Sequence, residues 1–231
     1  MDARQRLLSG ALVAAFLLAG PGAARADRWR FAADLELDLR YTRFAEPDPG
    51  VERNDAVLAG FTIAGFAGKK TLGYVAAVDI RLGAGVSGGF AYDVALRLLG
   101  AGLALGHRAR LLTTVGLGAN GHTGHVAAAM RWPVRTTLHL ELGRRVHLAG
   151  FAEAAFINFA TDRDQGSARA PFGDEFRAGG YLRLGKGGRQ YGQTDWGNGY
   201  FLGAAYQEML GERQVVMILG YGIGVTADGL L

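Results

Sequence analysis

The sequence predicts an all-β fold, an antiparallel up-and-down barrel of about ten strands, with about eight to twelve compatible with the pattern. Apolar and polar residues alternate with period two from Trp29 almost to the C-terminus. The alternating runs are separated by segments rich in Gly, charge or Pro, and no comparable stretch has helical spacing. Composition agrees: 231 residues, 49% apolar and 20% charged, with 37 Gly and no Cys, exclude a disordered chain, a disulfide framework and any cysteine-held zinc or iron–sulfur site.

Residues 1–26 read as a cleaved signal peptide and 27–231 as a single barrel domain. Arg4 and Arg6 open the segment, Leu7 to Ala19 is apolar except for Ser9, and Ala24-Arg25-Ala26 offers small residues at the positions a signal peptidase reads. The apolar run is shorter than the roughly 20 residues a membrane-spanning helix needs. The leader also carries three arginines against Asp2, so it takes two of the four formal positive charges with it. In the remainder Arg alternates with Asp and Glu and is not clustered, which argues against nucleic acid as a partner.

The strands follow in order. From Trp29 to Thr42 one face carries Trp29, Phe31, Ala33, Leu35, Leu37, Leu39 and Tyr41, and the other Arg30, Asp34, Glu36, Asp38, Arg40 and Thr42. Tyr74 to Leu82 sets Tyr74, Val78, Ile80 and Leu82 against Asp79 and Arg81; Phe90 to Leu98 sets its apolar residues against Asp93 and Arg97. His125 to Leu142 is taken as one strand despite Pro133, with Arg135, Thr137, His139 and Glu141 on its polar face. In the last strand Val215, Met217, Leu219, Tyr221, Ile223 and Val225 share a face, opposite Gly220, Gly222 and Gly224, which are expected to leave room for arginines inside. Connections are expected at residues 46–53, 68–71, 83–88, 106–108, 120–124, 143–145, 160–174, 185–199 and 210–213. Two consecutive ones, 160–174 and 185–199, are both long, against the alternation of long and short loops in membrane barrels.

Periodicity alone does not say which face is wet. Three further features favour a transmembrane barrel with an apolar outside. The polar face uses Arg, Asp and Glu, while Lys69, Lys70 and Lys186 fall in expected turns; Arg suits confined ion pairs. Aromatic residues, among them Trp29, Phe31, Tyr41, Tyr74, Phe90, Tyr92, Trp132, Phe159 and Tyr200, fall towards strand ends, as interfacial girdles do. Most runs also reach the roughly nine to eleven residues that cross a bilayer with tilt. On these residues the whole chain resembles the small single-chain β-barrel proteins of bacterial outer membranes. That resemblance implies export, insertion by the outer-membrane assembly machinery, and contact with outer-membrane lipid and lipopolysaccharide. The chain departs from the usual pattern in ending on Leu230-Leu231 instead of an aromatic residue.

Inside such a barrel the expected charge network comprises Arg30, Asp34, Glu36, Asp38, Arg40, Asp79, Arg81, Asp93, Arg97, Arg135, His139, Glu141, Glu153 and Arg177, with Arg110, Arg131, Arg145, Glu175 and Arg183 on the same face. Near-balance of sign points to mutual pairing across a plugged lumen, where a selective pore would use rings of one sign. The expected role is therefore non-enzymatic, structural or binding, with a narrow path for small solutes as a variant.

Two alternatives stand beside it. One is a lipid-modifying hydrolase acting on lipid A or phospholipid through His139, Glu141 and Thr137, although neighbours two apart on a strand stand about 7 Å apart and no Ser adjoins His139. The other is a soluble periplasmic lipocalin-like barrel with an apolar ligand cavity. No cofactor or metal is expected. His122 and His125 lack a neighbouring carboxylate, Asp162 to Asp164 lacks the closing Glu of a calcium loop, and Gly116, Gly118 and Gly121 are followed by no helix.

Overall fold

In a computed structural model the chain forms ten antiparallel strands: β1 (Arg30–Phe44), β2 (Ala56–Gly68), β3 (Leu72–Gly85), β4 (Phe90–Ala104), β5 (Ala109–His122), β6 (Val126–Gly143), β7 (Val146–Asp162), β8 (Gly166–Lys186), β9 (Asn198–Met209) and β10 (Glu212–Asp228). The structure describes residues 30–44, 55–69, 71–105, 109–122, 126–143, 145–162, 166–186, 198–209 and 212–228. Each strand pairs with its neighbours in sequence, and β1 closes the barrel on β10 from Arg30↔Asp228 to Phe44↔Gln214. Closure leaves no strand edge unpaired, the condition hydrocarbon imposes on a sheet.

The alternation becomes an inside and an outside. In β1, Asp34, Glu36, Asp38, Arg40 and Thr42 are buried, while Leu37 and Leu39 are exposed at 46% and 48%. In β10, Gln214, Val216 and Ile218 are buried and Val215, Met217 and Leu219 are exposed. Outward aromatics gather at both ends. Near the chain termini Tyr74 is exposed on β3, and Tyr200 of β9 packs edge-on against Tyr221 of β10 at 4.9 Å; at the opposite end Phe90 stacks on Tyr92 at 5.8 Å. Trp29 and the Phe159 side chain lie outside the described residues.

The two consecutive long loops are reduced to one. Residues 160–162 belong to β7 and 166–174 to β8, which continue as a hairpin to Asp162↔Gly166, beyond register shifts on either side of Ile157; residues 163–165 lie outside the described residues. Pro171 still leaves its mark, since no residue from Pro171 to Asp174 is paired with β7 or β9; beyond it, Gly166 to Ala168 pair with Ala160 to Asp162, and that pairing overrides the loop preference read from residue type. The 185–199 expectation is trimmed at both ends, because Lys186 closes β8 and Asn198 opens β9; residues 187–197 lie outside the described residues. Pro133 sits within β6, fully buried, as the single-strand reading requires.

β4 bends. Its register shifts against both β3 and β5, one extra residue being absorbed around Leu98 and Leu99, both of which face outward. The Tyr74 hydroxyl donates to the Leu98 carbonyl at this bulge. At the β3–β4 connection Gly88 and Gly89 have φ of 101° and 89°, which only glycine adopts freely.

Candidate functional site: the charged lumen

The inward faces of β1, β3, β4, β6, β7 and β8 bring Arg and carboxylate side chains together across the barrel. On the β1–β3 side Arg81 lies between Asp38 and Asp79: its Nη2 reaches Asp38 at 2.6 Å, its Nη1 reaches Asp79 at 3.4 Å, and its Nη2 also donates to Thr62 at 2.6 Å. Arg40 holds the same Asp38 more loosely, at 3.2 Å. In the middle, Arg131 of β6 donates to Glu153 of β7 and Glu175 of β8 at 2.6 Å each, and to Asp93 of β4 at 2.5 Å. Arg177 of β8 crosses the lumen to Asp93 at 2.8 Å. Arg97 pairs with Asp79 and stands 3.7 Å from Glu153. Towards the termini, Arg183 of β8 reaches Asp34 at 3.0 Å and Glu36 at 2.5 Å on β1, with the Tyr181 hydroxyl also donating to Glu36 at 2.5 Å.

These ties connect strands that are not neighbours. β8 with β4, β8 with β1, and β4 with β7 are joined through the lumen, so the charges brace the cross-section as well as filling it. The braces need room. A Cβ at Gly222 would meet the Arg183 guanidinium at 2.3 Å, and one at Gly118 would stand 3.2 Å from Arg131 Nε. The expectation that inward glycines of β10 make space for arginines holds at Gly222. Gly220 instead makes space for Phe201, whose ring a Cβ would meet at 2.3 Å.

An apolar patch completes the inner wall. Phe151, Tyr181 and Phe201 are buried with Ala149, Ala205, Val216 and Ile218, and the Arg135 guanidinium lies 4.2 Å over the Phe151 ring. Periodicity marks these positions as inward but says nothing of their contacts. Thr62, Tyr181, Gln207 and Gln214, absent from the expected network, are signalled only by lying in phase with the charged positions.

The expected residues distribute as follows. Asp34, Glu36, Asp38, Arg40, Asp79, Arg81, Asp93, Arg97, Arg135, Glu153 and Arg177 face the lumen and pair there, as do Arg131, Arg183 and Glu175. Arg145 is the correction: it lies exposed in the β6–β7 turn, where the strand pattern has already ended. The Arg30 side chain lies outside the described residues. Thr137 and His139 line one cavity of about 50 Å³ on the termini side of the charge layer, together with Asp34, Glu36, Arg97, Arg135 and Tyr181. Glu141 is not among its lining residues and pairs across strands with His147. A second cavity, of about 60 Å³, lies on the other side of the layer. Among the described residues no group of His, Asp and Glu is arranged to hold a metal ion.

A closed antiparallel barrel with leucines outside and arginine–carboxylate pairs inside defines the class of transmembrane β-barrels. No protein-family model matches the chain, and no curated protein matches it in sequence. Among solved structures it is similar to the translocator domain of the autotransporter NalP from Neisseria meningitidis, at 15% identity over 95% of each chain with a TM-score of 0.35. It is also similar to Ail, the attachment invasion locus protein of Yersinia pestis, at 10% identity over 84% of this chain and 98% of that one, TM-score 0.35. The toluene transporter TodX of Pseudomonas putida matches at 11% identity over 92% and 93%, TM-score 0.31.

Proposed function

We propose that the protein is a non-enzymatic outer-membrane barrel whose lumen is closed by its own ion pairs, serving envelope structure or binding and not free diffusion of solutes. The observation that carries this reading is the Arg131 cluster, in which one guanidinium, 1% exposed, is held by carboxylates from β4, β7 and β8 at the middle of the lumen. Signal-peptide export, insertion by the assembly machinery and contact with lipopolysaccharide belong to the same reading. A soluble lipocalin-like barrel would need the faces reversed, since its ligand cavity is apolar and its surface charged. A lipid hydrolase would need His139 to meet lipid, whereas His139 lines the inner cavity.

The test is conductance across a planar bilayer with the purified, heat-modifiable protein. The wild type is expected to give no stepwise current, and opening steps are expected once Arg131, Glu153 and Glu175 are replaced together by Ala. Large steps from the wild type, or recovery of the protein as a soluble periplasmic species, would overturn the reading.

A further inference from the structure

The cavity of about 60 Å³ on the loop side of the charge layer, away from the chain termini, has a lining of one dominant sign: Arg40, Arg81 and Arg177 face it, against the single carboxylate of Asp93. We propose that it is a binding site for a small oxyanion, a phosphate- or carboxylate-type group entering from the end that carries the β1–β2 and β3–β4 connections.

Some of the donors around the cavity are already engaged and others are not. Asp38 receives three hydrogen bonds from Arg81, at 2.6 to 3.0 Å, and holds Arg40 only at 3.2 and 3.3 Å. Arg81 is thereby matched by its own carboxylate, whereas Arg40 shares one already taken. Arg177, 5% exposed, gives one nitrogen to Asp93 and keeps a buried Nε without an acceptor. Beside them Gln207, the cross-strand partner of Arg177, donates to the Gln214 side-chain carbonyl oxygen at 3.2 Å, which leaves the Gln214 amide nitrogen as a further donor on the same cavity. Two guanidinium groups with spare donors beside an amide donor, in a low-dielectric recess, match the fork geometry by which arginine holds a planar or tetrahedral oxyanion. The volume admits a few waters or one small ion and excludes a lipid headgroup with its chains. This inference requires only the closed barrel and its charges, and stands whether or not the lumen conducts.

The test titrates inorganic phosphate into the folded full chain in detergent micelles by calorimetry, at constant ionic strength balanced with sodium chloride. Saturable binding is expected. Arg40→Gln should weaken it roughly tenfold, about the loss of one charge-assisted contact. Arg43→Gln removes the same charge from the exposed outer face of the same strand and should leave binding unchanged. If Arg40→Gln loses heat-modifiable mobility, Gln214→Leu takes its place, with weakened binding expected. Absence of saturable binding, equal loss in Arg40→Gln and Arg43→Gln, or unchanged affinity in the folded site variant would overturn the proposal.

Discussion

Arg131 is where a single side chain carries the most weight. Its removal takes from Glu153, Glu175 and Asp93 the guanidinium they share, leaving only Asp93 with a short ion pair among the described residues, to Arg177, and breaking a buried pair from one side costs about 3–5 kcal/mol. Arg131→Ala is therefore expected to lower the free energy of unfolding by that margin, read from a urea titration followed by gel mobility after equilibration. Arg40→Gln is expected to cost much less, since Asp38 keeps Arg81. Gly222→Ala tests the room made for arginine: the new methyl meets the far end of a flexible side chain, so Arg183 shifts and loosens from Asp34 and Glu36. The expected loss is about 1–3 kcal/mol, whereas Gly65→Ala, with nothing within 4 Å, should be neutral in the same titration. The inward face of these residues was legible in the sequence, because period two assigns every residue of a strand to a side. Their partners were not legible: that Arg177 meets Asp93, four strands away, depends on stagger and curvature that only closure sets.

Among the elements, β5 and β6 share an interrupted seam. Their pairing runs from Val115↔Val134 to Gly118↔Arg131 with nothing paired between, and Pro133, which has no N–H to give, lies in that gap. On the other side of β5 the β4 bulge falls at the same height, so Gly116 is missing from both ladders. Native-state hydrogen exchange is expected to be faster at Gly116 than at Thr114 or Ala119; equal protection at all three would contradict this. A Cβ at Gly116 would stand 2.0 Å from the Leu96 carbonyl oxygen and 2.5 Å from the Arg97 Cα, so the bulge cannot form around a larger residue. The sequence showed Pro133 and tolerated it within one strand, but gave no sign of the bulge, since one extra residue among Leu98, Leu99 and their small neighbours leaves an apolar run apolar. It misread 160–162 and 166–168 for the complementary reason: residue type there favours a loop, and what overrides it is the pairing of these two segments with each other.

For the whole molecule, a hydrocarbon surrounding has a measurable consequence on the outer surface. Leu39 and Leu219 are paired partners of β1 and β10, exposed at 48% and 54%, and carry no neighbouring charge on their face of those strands. In water such a belt would drive association; in a bilayer it is the matched surface. A cationic residue near the bilayer midplane of a barrel costs about 2–4 kcal/mol, falling towards zero near the interfaces. Leu39→Arg is therefore expected to lower stability by that amount when the barrel is folded into phosphatidylcholine vesicles and unfolded with guanidinium chloride, while Leu39→Ala costs less. The same arginine placed at Val86, in the exposed turn between β3 and β4, should cost little, because there it reaches water. A barrel standing in water would accept both arginines alike, since an outward guanidinium would be hydrated at either position. The difference between the two positions thus reads the dielectric around the barrel directly, and its absence would place the leucine-covered outside in water and not in hydrocarbon.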